Sequence, residues 1–172
     1  TEGVPESNLI YNLLDGLVNT DNFGQVVPGV AKSWENPQPT VWIFNLRDDA
    51  KWSNGEPVTA ADFVYSWRRL VDPKTASPYS SYPQAAHFAN IDAILAGKAP
   101  PDQLGVKALD AHRLQITLSE PVPYLVAMLA HTAMKPVYAP AIKQRGDAWT
   151  RPDHYIGNGA YTLSGWVVNE II

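Results

Sequence analysis

The stretch from Val41 to Trp67 constrains the fold most, because it predicts a strand, a turn and a helix in immediate succession. In residues 41–46, apolar side chains fall on both faces of an extended chain, which predicts an interior strand covered on both sides. Residues 53–55, Ser-Asn-Gly, supply turn chemistry, and Pro57 keeps the residue before it extended. The order strand, turn, helix is therefore fixed locally.

The helix of this stretch is predicted to begin at Thr59. Asp62, three residues later, can bond back to Thr59 as in a short-armed capping box, and the Asp-Pro pair at 72–73 ends the helix. Apolar residues recur at helical spacing between these limits, at Phe63, Trp67 and Leu70. The stretch also carries three tryptophans that we interpret as core residues, Trp42, Trp52 and Trp67.

Composition excludes several classes of protein. The chain has 172 residues, 45% of them hydrophobic and 10% aromatic, which is enough for one globular core. Its 17 acidic and 13 basic residues are scattered and give a net charge of −4, which argues against nucleic acid or an anionic membrane surface as a partner. There is no cysteine and no apolar run of roughly 18 residues, so the sequence predicts no disulfide, no thiolate chemistry and no membrane insertion.

Short helices and strands alternate along the rest of the chain and predict the α+β class. No internal repeat is present. The predicted elements are a helix over 6–14 capped by Ser7 or Asn8, a hairpin of 16–20 with 25–30, an ordered loop over 73–83, a helix over 90–96 ended by Gly97, a hairpin of 106–109 with 114–118, a helix over 121–130, a helix over 139–145 ended by Gly146, and a strand over 161–172 after the Asn-Gly turn at 158–159.

The last twelve residues alternate like a strand and stop without a turn or a polar tail. We therefore expect this sequence to be a fragment of a longer protein, cut inside a strand. Any function that requires the remaining part would then be absent from this chain.

The sequence KWSNGEPVTAADF at 51–63 resembles the signature of the extracytoplasmic peptide-binding proteins that feed ABC importers, the extracellular solute-binding protein family 5. The resemblance runs without insertions along essentially the whole chain. Its other matching segments lie at 2–8, 71–79, 104–110, 118–124, 158–161 and 166–170. It implies a periplasmic binding protein type II-like fold, of which this fragment comprises mainly the extra domain packed on the first lobe.

The resemblance also implies a division into domains. Residues 15–138 would form the extra α+β domain, residues 1–14 and 139–172 would be incomplete pieces of the first ligand-binding lobe, and the second lobe would be absent. The implied function is capture of short oligopeptides in extended form and their delivery to an ABC permease in the inner membrane. The implied location is the periplasm of a Gram-negative organism, with a signal peptide upstream and either a soluble or a lipid-anchored form.

In such proteins the peptide pairs through its backbone like an added strand. Glu2, Gly3 and Val4 match the family's first-lobe strip that makes this pairing, and Glu2 would also meet a basic ligand side chain. Gly3, which lacks a side chain, permits close approach of the ligand backbone. The alternative interpretation is an ordinary loop.

Tyr79 falls where the family places a tyrosine of the extra domain against the bound peptide. Its phenol offers a flat face and a hydroxyl. The alternative is that Tyr79 and Tyr82 simply anchor their loop. The groups that neutralise the peptide's two termini belong, by resemblance, to the absent lobe.

Two other classes of function stay open. The extra domain could be an interaction or scaffold surface, in which exposed aromatics such as Tyr79 and Trp149 matter most, and the ligand could be a murein peptide or another small solute. An enzyme has little support, because the sequence lacks the H-E-x-x-H, G-x-S-x-G and phosphate-loop motifs. The histidines are scattered, at 87, 112, 131 and 154. We therefore predict no catalytic residue, no metal and no cofactor.

Overall fold

The computed structural model describes residues 3–166. Helices and antiparallel strands share one hydrophobic core, which extends from Leu14 to Ala141. The strands are β1 (Val18–Thr20), β2 (Val26–Pro28), β3 (Ala31–Gln38), β4 (Val41–Leu46), β5 (Val106–Asp110) and β6 (Arg113–Thr117). The α-helices are α1 (Val4–Leu13), α2 (Ala60–Val71), α3 (Tyr82–Ala85), α4 (Ile91–Leu95), α5 (Leu125–Met128) and α6 (Ala139–Arg145), and 3₁₀ turns lie at Pro101–Gln103, Thr132–Met134 and Gly146–Thr150.

The main sheet has four antiparallel strands in the order β3-β4-β6-β5, and β1 with β2 forms a separate hairpin. β4 is an interior strand, because Phe44 pairs with Trp34 on one side and with Leu114 on the other. The predicted bounds and interior position of this strand are therefore confirmed.

The two faces of β4 differ in burial. Phe44 and Leu46 are fully buried, whereas Val41 and Ile43 on the opposite face are only half-buried. The prediction of a strand covered on both sides is thus wrong for this chain. The physical reason is that α2 packs on one side of β5 and β6, and the neighbours of Ile43 on the other face are Glu35 and Gln115.

Helix α2 begins as the capping box predicts. The Oδ2 atom of Asp62 accepts the backbone N–H of Thr59 at 2.8 Å and its hydroxyl at 2.9 Å. Phe63 and Trp67 are fully buried, and the Trp67 indole donates to the carbonyl of Met134 at 2.9 Å. This bond joins α2 to a segment 67 residues further along the chain.

The two predicted hairpins are also present. In the first, the carboxylate of Asp21 accepts the N–H groups of Phe23 and Gln25 at 2.9 and 2.8 Å, and Gly24 has a φ of 76°. This φ lies in the left-handed region that favours glycine. Asn90 adopts a φ of 67° immediately before α4.

Some predicted element bounds are wrong. Helix α1 begins at Val4, with Pro5 in its first turn, so Ser7 and Asn8 lie inside the helix and do not cap it. The helix predicted over 121–130 is reduced to α5, Leu125–Met128. Two prolines, Pro121 and Pro123, precede it and remove backbone donors that a longer helix would use.

Strand β3 was not predicted at all. Its sequence, AKSWENPQ, has little apolar alternation and contains Pro37, which is tolerated because β3 is an edge strand. Residues 161–166 contain no strand, and the rest of the predicted final strand, 167–172, lies outside the described residues.

The N-terminal helix and the segment near 159 meet. The N–H of Gly159 donates to the carbonyl of Leu13 at 3.0 Å, and the N–H of Tyr161 donates to the carbonyl of Asn12 at 3.1 Å. A Cβ atom at position 159 would lie 2.5 Å from the Asn12 oxygen, so this approach requires glycine. Within residues 3–166, no helix is both long and apolar enough to cross a membrane.

Two tryptophan substitutions test the hydrogen bond that joins α2 to Met134. Trp67 and Trp52 are both buried, but the indole N–H of Trp52 has no partner among the described residues. We expect Trp67→Phe to lower the free energy of unfolding by about 1–3 kcal/mol more than Trp52→Phe does, because only the first substitution orphans a buried carbonyl. Urea denaturation measures both values, and equal losses would show that the Trp67 hydrogen bond is unimportant.

Candidate ligand-binding surface

The loop that carries Tyr79 is held by local hydrogen bonds. Asp72 accepts the N–H of Lys74 at 2.9 Å, and the Ser77 hydroxyl accepts the N–H of Tyr79 at 3.2 Å. The carbonyl of Tyr79 accepts the N–H of Tyr82 at 3.0 Å, where α3 begins. The predicted ordered loop is confirmed, and Tyr79 itself is half-buried.

Three rings form an aromatic cluster, which we define as Tyr79, Tyr82 and His131. Tyr82 stacks on His131 with a centroid separation of 4.3 Å, and Tyr79 lies 5.5 Å from His131 in a tilted arrangement. The Tyr82 hydroxyl donates to the carbonyl of Met128 at 3.2 Å. Tyr82 is therefore held in place from both ends, and it holds His131 beside Tyr79.

The protonation of the aromatic cluster follows from its contacts. Burial lowers the pKa of His131, and its Nδ1 atom accepts the N–H of Ala133 at 3.1 Å. This bond assigns the proton of the neutral ring to Nε2. Burial, and to a smaller extent the nearby Tyr11, raises the pKa of Tyr82. Tyr82 and His131 are thus uncharged at neutral pH and can offer only ring faces and polar hydrogens.

Helix α1 lies next to this cluster. The 3₁₀ turn Thr132–Met134, which follows His131 directly, contacts α1. Lys135 then places its ammonium 4.9 Å from the centre of the Tyr11 ring and donates to the carbonyl of Leu14 at 2.6 Å. The first helix is therefore tied to the segment that directly follows His131.

Lys135 is 4% exposed, which is unusual for an ammonium group. Burial lowers its pKa to about 8, and the nearby Asp15 acts in the opposite direction. Its Nζ atom also lies 3.4 Å from the Asn19 amide oxygen. The cation–π contact with Tyr11 and these oxygens compensate part of the cost of burial.

Beside this lysine is a polar cleft of about 630 Å³. Tyr11, Asp15 and Asn158 are among the residues that line it. Arg47 enters the cleft with its Nη2 atom 3.7 Å from an Asp15 carboxylate oxygen. The Asn158 amide accepts the N–H of Asp15 and donates to the carbonyl of Asp15, each at 3.0 Å. The charges of this cleft are therefore paired with one another.

The predicted backbone strip is described only in part. Gly3 is extended and precedes α1, and Val4 begins that helix with 75% of its surface exposed. Gly3 has a negative φ and accepts the N–H of Ser7 at 3.1 Å. The N–H groups of Gly3, Val4 and Glu6 have no backbone acceptor among the described residues, as is usual at the start of a helix. Glu2 lies outside the described residues.

The side chain of Glu6 occupies the space beside Gly3. A Cβ atom there would collide with the carboxylate of Glu6. Among the described residues, no hydrogen bond or ring contact joins Gly3 or Val4 to Tyr79.

Sequence reasoning assigned no role to three residues of this surface. Tyr82 was considered only as a loop anchor, His131 only as one of four scattered histidines, and Lys135 not at all. The one local signal is the position of His131 before Thr132, where its ring caps a short turn. No group of three or more His, Asp or Glu side chains suited to a metal occurs within residues 3–166.

The buried lysine predicts a pH dependence of stability. Its pKa is about 8 in the folded chain, below the ordinary lysine value of 10.5, so between these pH values the unfolded chain binds the proton more strongly. Stability attributable to Lys135 therefore rises with pH across this window and is constant below it, with a slope of at most about 1.4 kcal/mol per pH unit.

Urea denaturation from pH 6 to pH 10.5 tests this expectation. The wild-type chain should gain stability relative to Lys135→Met above about pH 8. The exposed Lys107 provides the control, since Lys107→Met should show no such pH-dependent difference. A flat difference for Lys135→Met would mean that the ammonium is not destabilised by burial.

Comparison with known proteins identifies the family. Residues 25–172 match the family described as bacterial extracellular solute-binding proteins, family 5 Middle. The periplasmic oligopeptide-binding protein OppA of Escherichia coli is 58% identical over 99% of this chain and 32% of its own length. The periplasmic murein peptide-binding protein MppA of the same organism is 51% identical over 98% of this chain and 31% of its own length.

A solved structure agrees with these sequence matches. The crystal structure of Haemophilus influenzae OppA in complex with RPPGFSPFR superposes with a TM-score of 0.96 and 50% identity, covering 99% of this chain and 33% of that one. The predicted periplasmic binding protein type II-like fold is therefore confirmed, and the chain spans about a third of the length of the relatives it matches. The chain belongs to family 5 of the bacterial extracellular solute-binding proteins.

Proposed function

We propose that this chain is part of the extracytoplasmic solute-binding component of an ABC importer, which captures short oligopeptides and delivers them to a membrane permease. The observation that carries the proposal is the likeness, at a TM-score of 0.96 over 99% of this chain, to an OppA structure in complex with RPPGFSPFR. The remaining two-thirds of the length found in relatives would supply the rest of the binding site.

The aromatic cluster suits such a ligand. Tyr79 presents a ring face and a hydroxyl, which contact a peptide backbone without selecting one side chain. Because Tyr82 and His131 are uncharged at neutral pH, the cluster would favour neither acidic nor basic peptides. The N–H groups of Gly3 and Val4, which have no backbone acceptor among the described residues, would pair with the peptide backbone, beside Glu2.

The same proposal divides the chain into domains. Residues 15–138 would be the extra domain, and residues 1–14 and 139–172 would belong to the first lobe. The hydrogen bonds of Gly159 and Tyr161 to the end of α1 support this division, because an inserted domain leaves its host segments side by side. Lys135 would then tie the extra domain to the lobe.

The relatives' names extend the proposal to location and ligand. OppA and MppA are named as periplasmic proteins, so we place this protein in the periplasm, with a signal peptide upstream. The family consists of binding proteins, and we propose no catalysis and no cofactor. The 51% identity to a murein peptide-binding protein favours a murein peptide as the second candidate ligand.

Calorimetric titration tests the function. A tripeptide and a tetrapeptide mixture, and separately a murein tripeptide, would be titrated into this chain and into the protein extended to the length of its relatives. We expect binding by the extended protein and weak or no binding by this chain. Tight binding by this chain would mean that it contains the whole binding site. The absence of binding to both proteins would refute peptide capture.

Tyr79 is tested in the extended protein. We expect Tyr79→Ala to weaken peptide binding about tenfold or more, because a buried aromatic contact is worth more than 1 kcal/mol. Tyr124→Ala is the matched control, since Tyr124 is 55% exposed and lies outside the aromatic cluster. Equal affinities of the two variants would exclude Tyr79 from the site while leaving peptide capture intact.

A further inference from the structure

A groove of about 780 Å³ lies along one side of α2, away from the aromatic cluster. We call it the α2 groove. One wall is a helical stripe that includes Val64, Tyr65, Arg68 and Arg69, and the opposite wall contains residues 100–102. The stripe adjoins the buried face of α2 but is not part of it, since its side chains are half-buried.

The arginines of the α2 groove lack anionic partners. Within residues 3–166, neither Arg68 nor Arg69 forms a salt bridge or a side-chain hydrogen bond, and the Nε atom of Arg68 is buried without an acceptor. A guanidinium donor removed from water without an acceptor is unfavourable. An oxygen ligand would remove this penalty.

The charged side chains that line the groove are equal in number but differ in their contacts. Lys143 does not line the groove, although its ammonium lies 5.6 Å from the centre of the Tyr65 ring. Two aspartates also line the groove, but each has a local role. Asp72 accepts the N–H of Lys74, and Asp102 is exposed in the first turn of a 3₁₀ helix. The lining thus carries no net charge, and the donor left without an acceptor among the described residues is the Nε atom of Arg68.

The helix dipole explains only in part why Arg68 and Arg69 occur at the end of α2. Arg68 and Arg69 lie in the last turn of α2, where cations are favourable. A cationic side chain that extends into water can make this favourable interaction with the helix dipole. It accounts neither for the buried Nε atom nor for the rigid wall formed by Pro100 and Pro101.

We propose that the α2 groove binds an extended, largely apolar segment of a partner polypeptide through carboxylates that pair with Arg68 and Arg69. The guanidinium fork matches a carboxylate in a bidentate manner. Val64 and the two prolines supply apolar contact. The stripe from Ala61 to Asp72 spans about 16 Å of helix, which accommodates about five extended residues.

The probe is the blocked pentapeptide acetyl-Leu-Glu-Val-Glu-Leu-amide, titrated into the ¹⁵N-labelled chain. Because it has no free termini, capture that depends on peptide termini does not contribute to the signal. We expect amide shifts concentrated at Val64, Tyr65 and Ala108, which line the groove. The same peptide with glutamine in place of both glutamates should bind at least about tenfold more weakly.

Two double variants distinguish binding at the groove from a general effect of positive charge. Arg68→Gln with Arg69→Gln should weaken the glutamate peptide at least about tenfold. The control is Lys107→Gln with Arg113→Gln, which removes two exposed cations from the opposite face of the sheet and should leave the affinity unchanged. Circular dichroism melting checks that both variants fold.

Three results would overturn the proposal. They are equal binding by the two variants, no shift at the groove, and binding of vesicles of phosphatidylglycerol and phosphatidylcholine without binding of the peptide. Shifts at Tyr79 and His131 instead would also refute a groove site. Since the proposed oligopeptide capture is tested with free peptides on the extended protein, the two proposals fail independently.

Discussion

The burial of Trp67 is the interaction on which the rest of the structure depends. Its ring meets Phe63 at 5.9 Å and Phe88 at 5.6 Å, both edge to face, and its N–H binds the carbonyl of Met134. The neighbouring Ser66 hydroxyl accepts the N–H of Val137 at 2.8 Å. Helix α2 is thereby fixed to residues 134–137. This attachment positions the lysine and histidine that contact the first helix and the Tyr79 loop.

Local physical rules account for the parts of the fold that the sequence predicts. The capping box at Thr59, the turn at Gly24 and the bounds of β4 each depend on residues within a few positions of one another. The contacts of Lys135 do not. Its partner Leu14 is 121 residues away, and no periodicity reports such a distance. The same limit applies to Tyr82 and His131, whose stacking depends on tertiary packing. Strand β3 escaped prediction because an exposed edge strand needs no apolar alternation.

The candidate ligand surface and the α2 groove differ in their electrostatics. In the aromatic cluster, burial favours the uncharged forms of His131 and Tyr82, and the buried cation Lys135 donates to the oxygen of Leu14 and lies 3.4 Å from that of Asn19. In the groove, Arg68 and Arg69 have no salt-bridge partner within residues 3–166. The uncharged aromatic cluster suits peptides that vary in sequence. The groove with its arginines suits a partner that always carries carboxylates.

Helix α2 serves both surfaces with different faces. Phe63 and Trp67 point into the core, and Trp67 binds Met134 there, whereas Arg68 and Arg69 line the groove. Trp67 and Arg68 are adjacent in sequence, but a rotation of about 100° per residue turns them toward different surroundings. Within residues 3–166, the two sets share no hydrogen-bond partner. Loss of the groove arginines then removes charge from one surface without disturbing the segment that positions Lys135, whereas loss of the Trp67 hydrogen bond would affect that segment first.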